Sequence, residues 1–476
     1  MVDIRFGTDG WRGLIAKDFT FQTVAFVTQG VVQTLQKRTP HLKGMIVGYD
    51  RRFLSREFAE TVAIIYAQNG FEVLFAESFL PTPALSWCAK NKANMAGATV
   101  ITASHNPPQW NGFKFKEPFG GSALPETTKA FEQELERVSP NLAFPIPETF
   151  VQFAKTGKIQ LFNPLEVYFN GIKKQLDAKK IQNLRAVVGL DTMHGAGSNH
   201  YQTLLESFGV KVVSLHSEDN PGFRGVPPEP IEKNLPELMS LVKKEKLTCG
   251  LATDGDADRL GAVDENGNYF TTQQILSLVY WHMLKNRGKK WSIARSSSTT
   301  RMVDLIAARF NQKCFETPVG FKYIAEKIVR GEAQIGGEES GGIGIIEHIP
   351  ERDALLTGLL LLEVIATTGK GLAALYEDLC REIRPYHFVR LDLHVGQDVM
   401  GRALHRLKEN PPKEWSKRIV DTLSTLDGFK FYMKDGSWLL IRPSGTEPVF
   451  RLYAETESLQ ESDALVKVAK QFVENS

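Results

Sequence analysis

Three stretches of this chain repeat one pattern of strand, loop, helix and strand, and that repetition limits the folds open to it. The first is Gly44-Met-Ile-Val-Gly-Tyr-Asp50, a loop, a helix from about Ser55, then Phe71-Glu-Val-Leu-Phe-Ala76. The second is Arg185-Ala-Val-Val-Gly-Leu-Asp191, a Gly-rich loop, a helix near Asn199 to Phe208, then Val210 to Leu215. The third is Trp291-Ser-Ile-Ala-Arg295, a Ser/Thr loop, a helix near Thr300 to Phe310, then Lys313 to Glu316. The strands are short continuous apolar runs, the pattern of sheets covered on both faces. The helices carry apolar residues at helical spacing, as in Tyr201, Leu204, Leu205 and Phe208, or Val303, Ile306, Ala307 and Phe310. Strand, helix and strand in succession make a crossover, so mostly parallel sheets are expected. A repeat this long reads as three related domains, not a solenoid.

The C-terminal part departs from the pattern. Ser437 to Arg442 and Val449 to Glu455 read as two strands about a Pro/Gly turn, followed by a helix through Ala464 to Val473. The expected fold is α/β: three related mixed-sheet α/β domains at 1–150, 151–257 and 258–384, then a C-terminal α+β domain at 385–476. The 476 residues suggest about three domains at roughly 150 each and admit four. Lys plus Arg is 57 and Asp plus Glu 55, so no global charge draws the chain to nucleic acid or an anionic membrane, and any anion site is local. The most apolar stretch, Ala354 to Ala366, is shorter than the roughly 20 residues of a membrane span. The N-terminus lacks an apolar signal core. The four cysteines are far apart, form no CxxC pair, and read as buried thiols in a cytoplasm.

In open α/β sheets, ligands sit at the carboxyl ends of strands, so the following loops are where chemistry is sought. Thr102-Ala-Ser-His-Asn-Pro107 follows the strand Gly97 to Ile101 and delivers Ser104 on a tight turn. A hydroxyl needs a base or cation nearby to act as a nucleophile. The alternative is a turn serine bonding its own backbone, with His105 merely next to it. In Thr253-Asp-Gly-Asp-Ala-Asp-Arg259 three acids alternate, so an extended loop puts Asp254, Asp256 and Asp258 on one side. Such carboxylates repel unless a cation neutralises them, and oxygen-only ligands suit Mg²⁺ or Ca²⁺ and argue against zinc. An EF-hand is excluded, because Arg259 stands where its turn needs Gly and the flanks read as strands. A solvated acidic turn is the other reading.

Gly336-Gly-Glu-Glu-Ser-Gly-Gly342 offers Glu338 or Glu339 with Ser340 to vicinal sugar hydroxyls. Arg442-Pro-Ser-Gly-Thr-Glu-Pro448 with Arg451 makes an anion cradle that needs no nucleotide, or else a hairpin turn with surface arginines. Phe6-Gly-Thr-Asp-Gly-Trp-Arg-Gly13 and Asn111-Gly-Phe-Lys114 each set a cation, Arg12 or Lys114, beside glycines. Walker A and GxGxxG patterns are absent, which weighs against a nucleotide as main ligand.

In this order the six motifs resemble the α-D-phosphohexomutase family, which includes phosphoglucomutases, phosphomannomutases and phosphoglucosamine mutases. The resemblance runs from Phe6 to Arg451 and implies four domains around a central cleft. It implies that Ser104 carries a phosphoryl group, and that Asp254, Asp256 and Asp258 hold Mg²⁺ together with that group on Ser104. Lys114 matches the family's general acid/base, with Arg12, Arg259 and His105 around the transferring phosphoryl. Glu338 and Ser340 match residues that bond sugar hydroxyls. Arg442, Ser444, Gly445, Thr446 and Arg451 match the cradle for the phosphate that does not react. Glu316-Thr-Pro-Val-Gly-Phe-Lys322 resembles the loop that reads sugar orientation, with Thr317, Gly320 and Lys322 as its contacts. Asn220 to Pro230 and His348 to Asp353 also look like family segments, with no role assigned.

The reaction so implied has two transfers. Phosphoserine 104 donates to a hexose phosphate, and the resulting 1,6-bisphosphate turns over and returns its other phosphate to Ser104. Glucose 1,6-bisphosphate is the implied activator and intermediate. The glycine-rich Glu338 loop and the Thr317 loop look glucose-type, and Gly342 stands where dual glucose/mannose members often carry His. A phosphoglucosamine mutase, a dual phosphomannomutase/phosphoglucomutase and a non-catalytic phosphosugar-binding protein are the alternatives. The expected partners are small hexose phosphates, not nucleic acid or membrane, with the chain a monomer or homodimer.

Overall fold

In the computed structural model, which describes residues 4–7, 9–139, 145, 147–444 and 449–476, each crossover unit builds its own sheet. The first sheet runs Trp11–Leu14, Trp110–Lys116, Met95–Ile101, Gly44–Tyr49, Glu72–Ala76, Ile159–Phe162. Its last four strands are parallel, while Trp110–Lys116 turns back antiparallel against Met95–Ile101. The second sheet runs Tyr269–Phe270, Leu260–Val263, Cys249–Thr253, Val187–Asp191, Lys211–Leu215, with Leu260–Val263 antiparallel to Cys249–Thr253. The third runs Cys314–Thr317, Ile293–Ser296, Ile335–Gly337, Ile343–Ile345, with the last strand antiparallel. The sheets are therefore mixed. Each has a parallel core and one strand that returns from it.

That return turn is the functional position of the fold. The turn between the parallel strand and its antiparallel neighbour carries Ser104 in the first sheet, the three aspartates in the second and Glu338 to Ser340 in the third. The repeat thus places three different chemistries at one equivalent point of three domains.

The first domain has its own apolar core. The second and third share one, through helix Ala354–Thr368. Asp353 starts this helix by accepting from Leu356 N at 3.0 Å, and Gly369 ends it in the left-handed region at φ 70°. Between those caps Leu355, Leu356 and Leu359 to Leu362 are all buried, so the most apolar stretch of the sequence is a core helix. Each such leucine contributes about 1.5–3 kcal/mol of burial.

The C-terminal domain holds a six-stranded antiparallel sheet: His387–His394, Val449–Thr456, Trp438–Pro443, Phe429–Met433, Arg418–Ser424, Glu414–Trp415. The two expected strands are in the interior of this sheet, and four more extend it. Helix Leu459–Glu474 begins earlier than expected because Ser458 caps it, accepting from Glu461 N. Helix Gln397–Glu409 packs beside it over the same core.

Backbone pairing moves two of the divisions read from the sequence. The one at 150/151 falls inside helix Pro147–Lys155, whose chain continues into Ile159–Phe162, an edge strand of the first sheet. The one at 257/258 cuts Leu260–Val263 and Tyr269–Phe270 from the sheet they complete.

Candidate active site

The turns of the first two domains meet face to face. Ser104 is fully buried and sits in the left-handed region at φ 55°, a backbone state that a non-glycine residue keeps only when its surroundings hold it. Two contacts do so. Ser104 N donates to Thr102 Oγ1 at 2.9 Å. The Arg52 guanidinium donates to the carbonyls of Ser104 (2.6 Å), Asn106 (2.6 Å), Pro107 (2.9 Å) and Trp110 (3.1 Å). Arg52 is itself paired with buried Asp50 at 3.2 Å, and its guanidinium stacks on Phe223 of the second domain.

So held, Ser104 Oγ donates to Asp254 Oδ2 at 2.7 Å. Asp254, Asp256 and Asp258 are all buried, and each offers an oxygen within 4.8 Å of the others'. Asp254 Oδ1 accepts from the backbone N–H groups of Asp258 and Arg259, which fixes the loop. Asp256 Oδ1 and Asp258 Oδ1 are buried without a hydrogen-bond partner among the described residues. Burial, and then the charges of Asp258 and Asp256, push the Asp254 carboxyl well above its ordinary value. Buried, mutually repelling and partly unpaired oxygens are the donor set of a hard divalent cation, and Mg²⁺ fits it.

Lys114 faces the same triad from the strand Trp110–Lys116. Its Nζ lies 2.8 Å from Asp256 Oδ2, 3.2 Å from Asp258 Oδ2 and 2.7 Å from Asp9 Oδ2. Burial alone would lower its ammonium. Asp256, Asp258 and Asp9 outweigh that and hold it above the ordinary lysine value. Asp9 also bonds Arg352, whose guanidinium lies 2.8 Å from Asp258 Oδ2. His105 is held neutral, first by burial and then by Arg259, Arg12, Lys114 and Arg52. Arg12 Nη1 donates to Asn106 Oδ1 at 2.5 Å.

These groups adjoin a cleft of about 270 Å³ whose lining includes residues from all four domains. Of the residues expected from the sequence, Arg12, His105, Arg259, Gly320, Glu338, Ser340, Arg442 and Arg451 line it. Ser104, Lys114 and the triad are not part of that lining but connect to it through Asp9, Arg259 and Arg352. Thr317 and Lys322 do not line it. Thr317 Oγ1 turns back to Arg295 O at 3.2 Å, and Lys322 Nζ reaches Gly7 O at 3.3 Å. Ser444 N donates to Val449 O, and Ser444 stands outside the lining. Gly445 and Thr446 lie outside the described residues.

Six arginines line the cleft against four carboxylates, Asp9, Glu229, Glu338 and Glu339, so it suits a dianionic ligand although the whole chain is near neutral. Ser340 Oγ is buried without a partner among the described residues. Burial raises the Glu338 carboxyl to about 7, and Gly320 N donates to its Oε1 at 3.0 Å. At Gly342 a Cβ would lie 2.2 Å from Arg352 Cδ, so a larger residue there would displace Arg352.

Sequence reasoning missed Asp9, Arg52, Arg352 and Arg390. Asp9 lies inside the motif read for Arg12, and Arg352 inside the segment His348 to Asp353, which carries no assigned role above. Arg52 follows the strand end at Tyr49, the kind of position where chemistry is expected. Arg390, from the C-terminal strand His387–His394, has no local signal.

Comparison with known proteins places the chain in one family. The phosphoglucomutase/phosphomannomutase models for alpha/beta/alpha domains I, II and III match residues 3–141, 166–267 and 271–383, and the C-terminal domain model matches 399–471. A phosphoglucomutase/phosphomannomutase of Thermococcus kodakarensis is 30% identical over 471 residues, covering 99% of this chain and 98% of its own. A phosphoglucosamine/phosphogalactosamine mutase of Sulfurisphaera tokodaii is 28% identical over 478 residues, covering 98% of this chain and 99% of its own. A crystal structure from Thermus thermophilus superposes with a TM-score of 0.86 at 33% identity, covering 99% of each chain. The chain therefore belongs to the phosphoglucomutase/phosphomannomutase family of phosphohexomutases, Mg²⁺-dependent isomerases that move a phosphoryl group within a hexose phosphate.

Proposed function

We propose that the protein interconverts glucose 1-phosphate and glucose 6-phosphate through phosphoserine 104 and glucose 1,6-bisphosphate. The observation that carries this reading is the 2.7 Å contact of Ser104 Oγ with Asp254 Oδ2, in a triad that Lys114 also touches. Phosphoryl transfer asks for in-line positioning and neutralisation of spreading negative charge more than for covalent chemistry. Ser104, Asp254, Asp256 and Asp258 would hold Mg²⁺, which when bound supplies that neutralisation.

The chain's own groups do the rest. Arg12 and Arg259 flank the transferring phosphoryl, and neutral His105 offers a hydrogen bond there. Asp256, Asp258 and Asp9 hold Lys114 as an ammonium; once Asp256 and Asp258 bind Mg²⁺ instead, that hold would weaken, and as the neutral amine Lys114 takes the proton of the attacking sugar hydroxyl. On the return it gives a proton to the departing sugar oxygen as the bisphosphate re-phosphorylates Ser104. Glu338 and Ser340 bond the sugar hydroxyls, helped by the loop that holds Thr317, Gly320 and Lys322. Arg442 and Arg451, with Ser444, Gly445 and Thr446, cradle the distal phosphate. Because the bisphosphate turns over, the cradle meets both ends of it, and arginine forks accept either.

A second reading, an amino-hexose phosphate as substrate, is favoured by the phosphoglucosamine/phosphogalactosamine mutase among the relatives. Comparing kcat/KM for glucose 1-phosphate, mannose 1-phosphate and glucosamine 1-phosphate decides. The highest value on glucose 1-phosphate supports the proposal, and the highest on glucosamine 1-phosphate replaces it. Binding without turnover of any of them would make the chain a phosphosugar-binding protein.

A further inference from the structure

We infer that Asp427 is a positioning residue, a strut that ties the distal-phosphate cradle to the loop that reads the sugar. This rests on the cradle and loop assignments proposed above. Asp427 lies in the turn between strands Arg418–Ser424 and Phe429–Met433 of the C-terminal domain. Its Oδ1 is 2.9 Å from Arg442 Nε, an ion pair without hydrogen-bond alignment. Its Oδ2 accepts from Val319 N, in the third domain, at 2.8 Å. One carboxylate thus holds a cradle arginine with one oxygen and the backbone of the sugar loop with the other.

The turn has little room to drift. Gly428 has φ 91°, and a Cβ there would fall 2.7 Å from Ile441 O and 2.9 Å from Arg442 Cα. The turn therefore rests on the strand that carries Arg442, and only glycine allows that approach. The strand that follows grips the start of the same loop. Glu316 accepts from Lys430 Nζ at 2.8 Å and from Tyr432 Oη at 2.6 Å, besides Arg295 Nη1 at 3.0 Å. Glu316 and Val319 are both tied to one turn and strand of the C-terminal domain, so that domain sets the posture of the loop as well as holding the phosphate. At the loop's far end Gly320 N bonds Glu338, which extends the connection to the sugar-hydroxyl group.

The consequence is a coupling between two subsites. Phosphate on Arg442 fixes the strut, and the strut fixes the loop. By linkage, a sugar seated against the loop steadies the cradle equally. The protein then distinguishes sugar stereochemistry only while a phosphate occupies the cradle, which suits a site where the bisphosphate must let go and turn over.

The test compares two ligands with the same phosphate and different stereochemistry, glucose 1-phosphate and its C4 epimer galactose 1-phosphate. The affinity ratio cancels the direct phosphate contribution. Kd values for both are measured by calorimetry on wild type, Asp427→Ala, Arg442→Ala and the double variant. Asp427→Ala should lower the wild-type preference about tenfold, the loss of one hydrogen bond to a charged acceptor. Arg442→Ala should lower it too, and the double variant should go no lower than the stronger single. Unchanged melting temperatures separate this from misfolding. The strut is overturned if the wild type binds the epimers equally, if Asp427→Ala leaves the ratio intact, or if the two effects add. Binding needs no turnover, so a wild type that proves inactive as a mutase would refute the proposed reaction and leave this comparison readable.

Discussion

Gly255, between the first two aspartates of the triad, has no room for a side chain, and adding one methyl tests how the two reacting loops are fitted. A Cβ at this position would lie 2.3 Å from Ser104 O and 3.1 Å from Pro228 Cγ. Neither neighbour gives easily. Ser104 O is pinned by Arg52 Nη2 at 2.6 Å, and Pro228 O accepts from Gly255 N at 3.2 Å. To reach even 3.0 Å, a separation below which real Cβ atoms are essentially never found, the loops must part by about 0.7 Å. That displacement falls directly on the 2.7 Å contact between Ser104 Oγ and Asp254. Overpacking of this kind destabilises by about 1–3 kcal/mol. A misplacement near 1 Å at reacting atoms lowers the rate by about a hundredfold, or about 2.7 kcal/mol of barrier. Gly255→Ala should therefore fold, lose about thirty- to a hundredfold in kcat, and keep KM for hexose phosphates within about threefold, because the cleft lining is untouched. The assay is initial rates of glucose 6-phosphate formation across substrate concentrations, with a melting curve as control. A kcat within about threefold of wild type would show that the two loops need not meet this closely, and the reasoning would fail.

With Glu338 bonding the sugar hydroxyls as proposed, the site should be pH-dependent. Above its value of about 7 the ionised carboxyl accepts from two hydroxyls, so KM should rise as pH falls through 7, and Glu338→Gln should flatten that profile. The sign for stability is opposite. A carboxyl raised by burial contributes stability that is lost as pH rises through its folded value, so Glu338→Gln should raise the melting temperature more at pH 8 than at pH 6. Arg52→Lys keeps the charge and loses the fork that reaches four carbonyls, so kcat should fall about tenfold or more with KM unchanged. A raised KM with kcat intact would instead place Arg52 in substrate binding.

The sequence made the three crossover units readable because their strands are buried on both faces and form unbroken apolar runs. Gly44–Tyr49 and Val187–Asp191 lie within a few residues of where those runs placed them. Only two of the six strands of the C-terminal sheet were readable. Trp438–Pro443 and Val449–Thr456 are mostly buried, whereas Arg418–Ser424 is half exposed and alternates too loosely to stand out. Ser104, Lys114 and the triad were legible because each motif is local and falls in or beside a return turn. Arg52 and Asp9 were not, because their work is to join distant segments: Arg52 reaches 52 to 58 residues along the chain, and no spacing rule announces such a contact. For Thr317 and Lys322 the sequence places the loop but not the side chains. Their loop is near the cleft, but both side chains turn away, Thr317 to the neighbouring strand Ile293–Ser296 and Lys322 to the first domain.

The most direct measurement of the central claim is the intact mass of the protein, and of its Ser104→Ala variant, after incubation with glucose 1,6-bisphosphate and Mg²⁺. The account predicts a single added phosphoryl group on wild type, mapped by peptide fragmentation to Ser104, lost on addition of excess glucose 6-phosphate and absent from the variant. A wild type that gains no phosphoryl group, or a variant that gains one as readily, would contradict it.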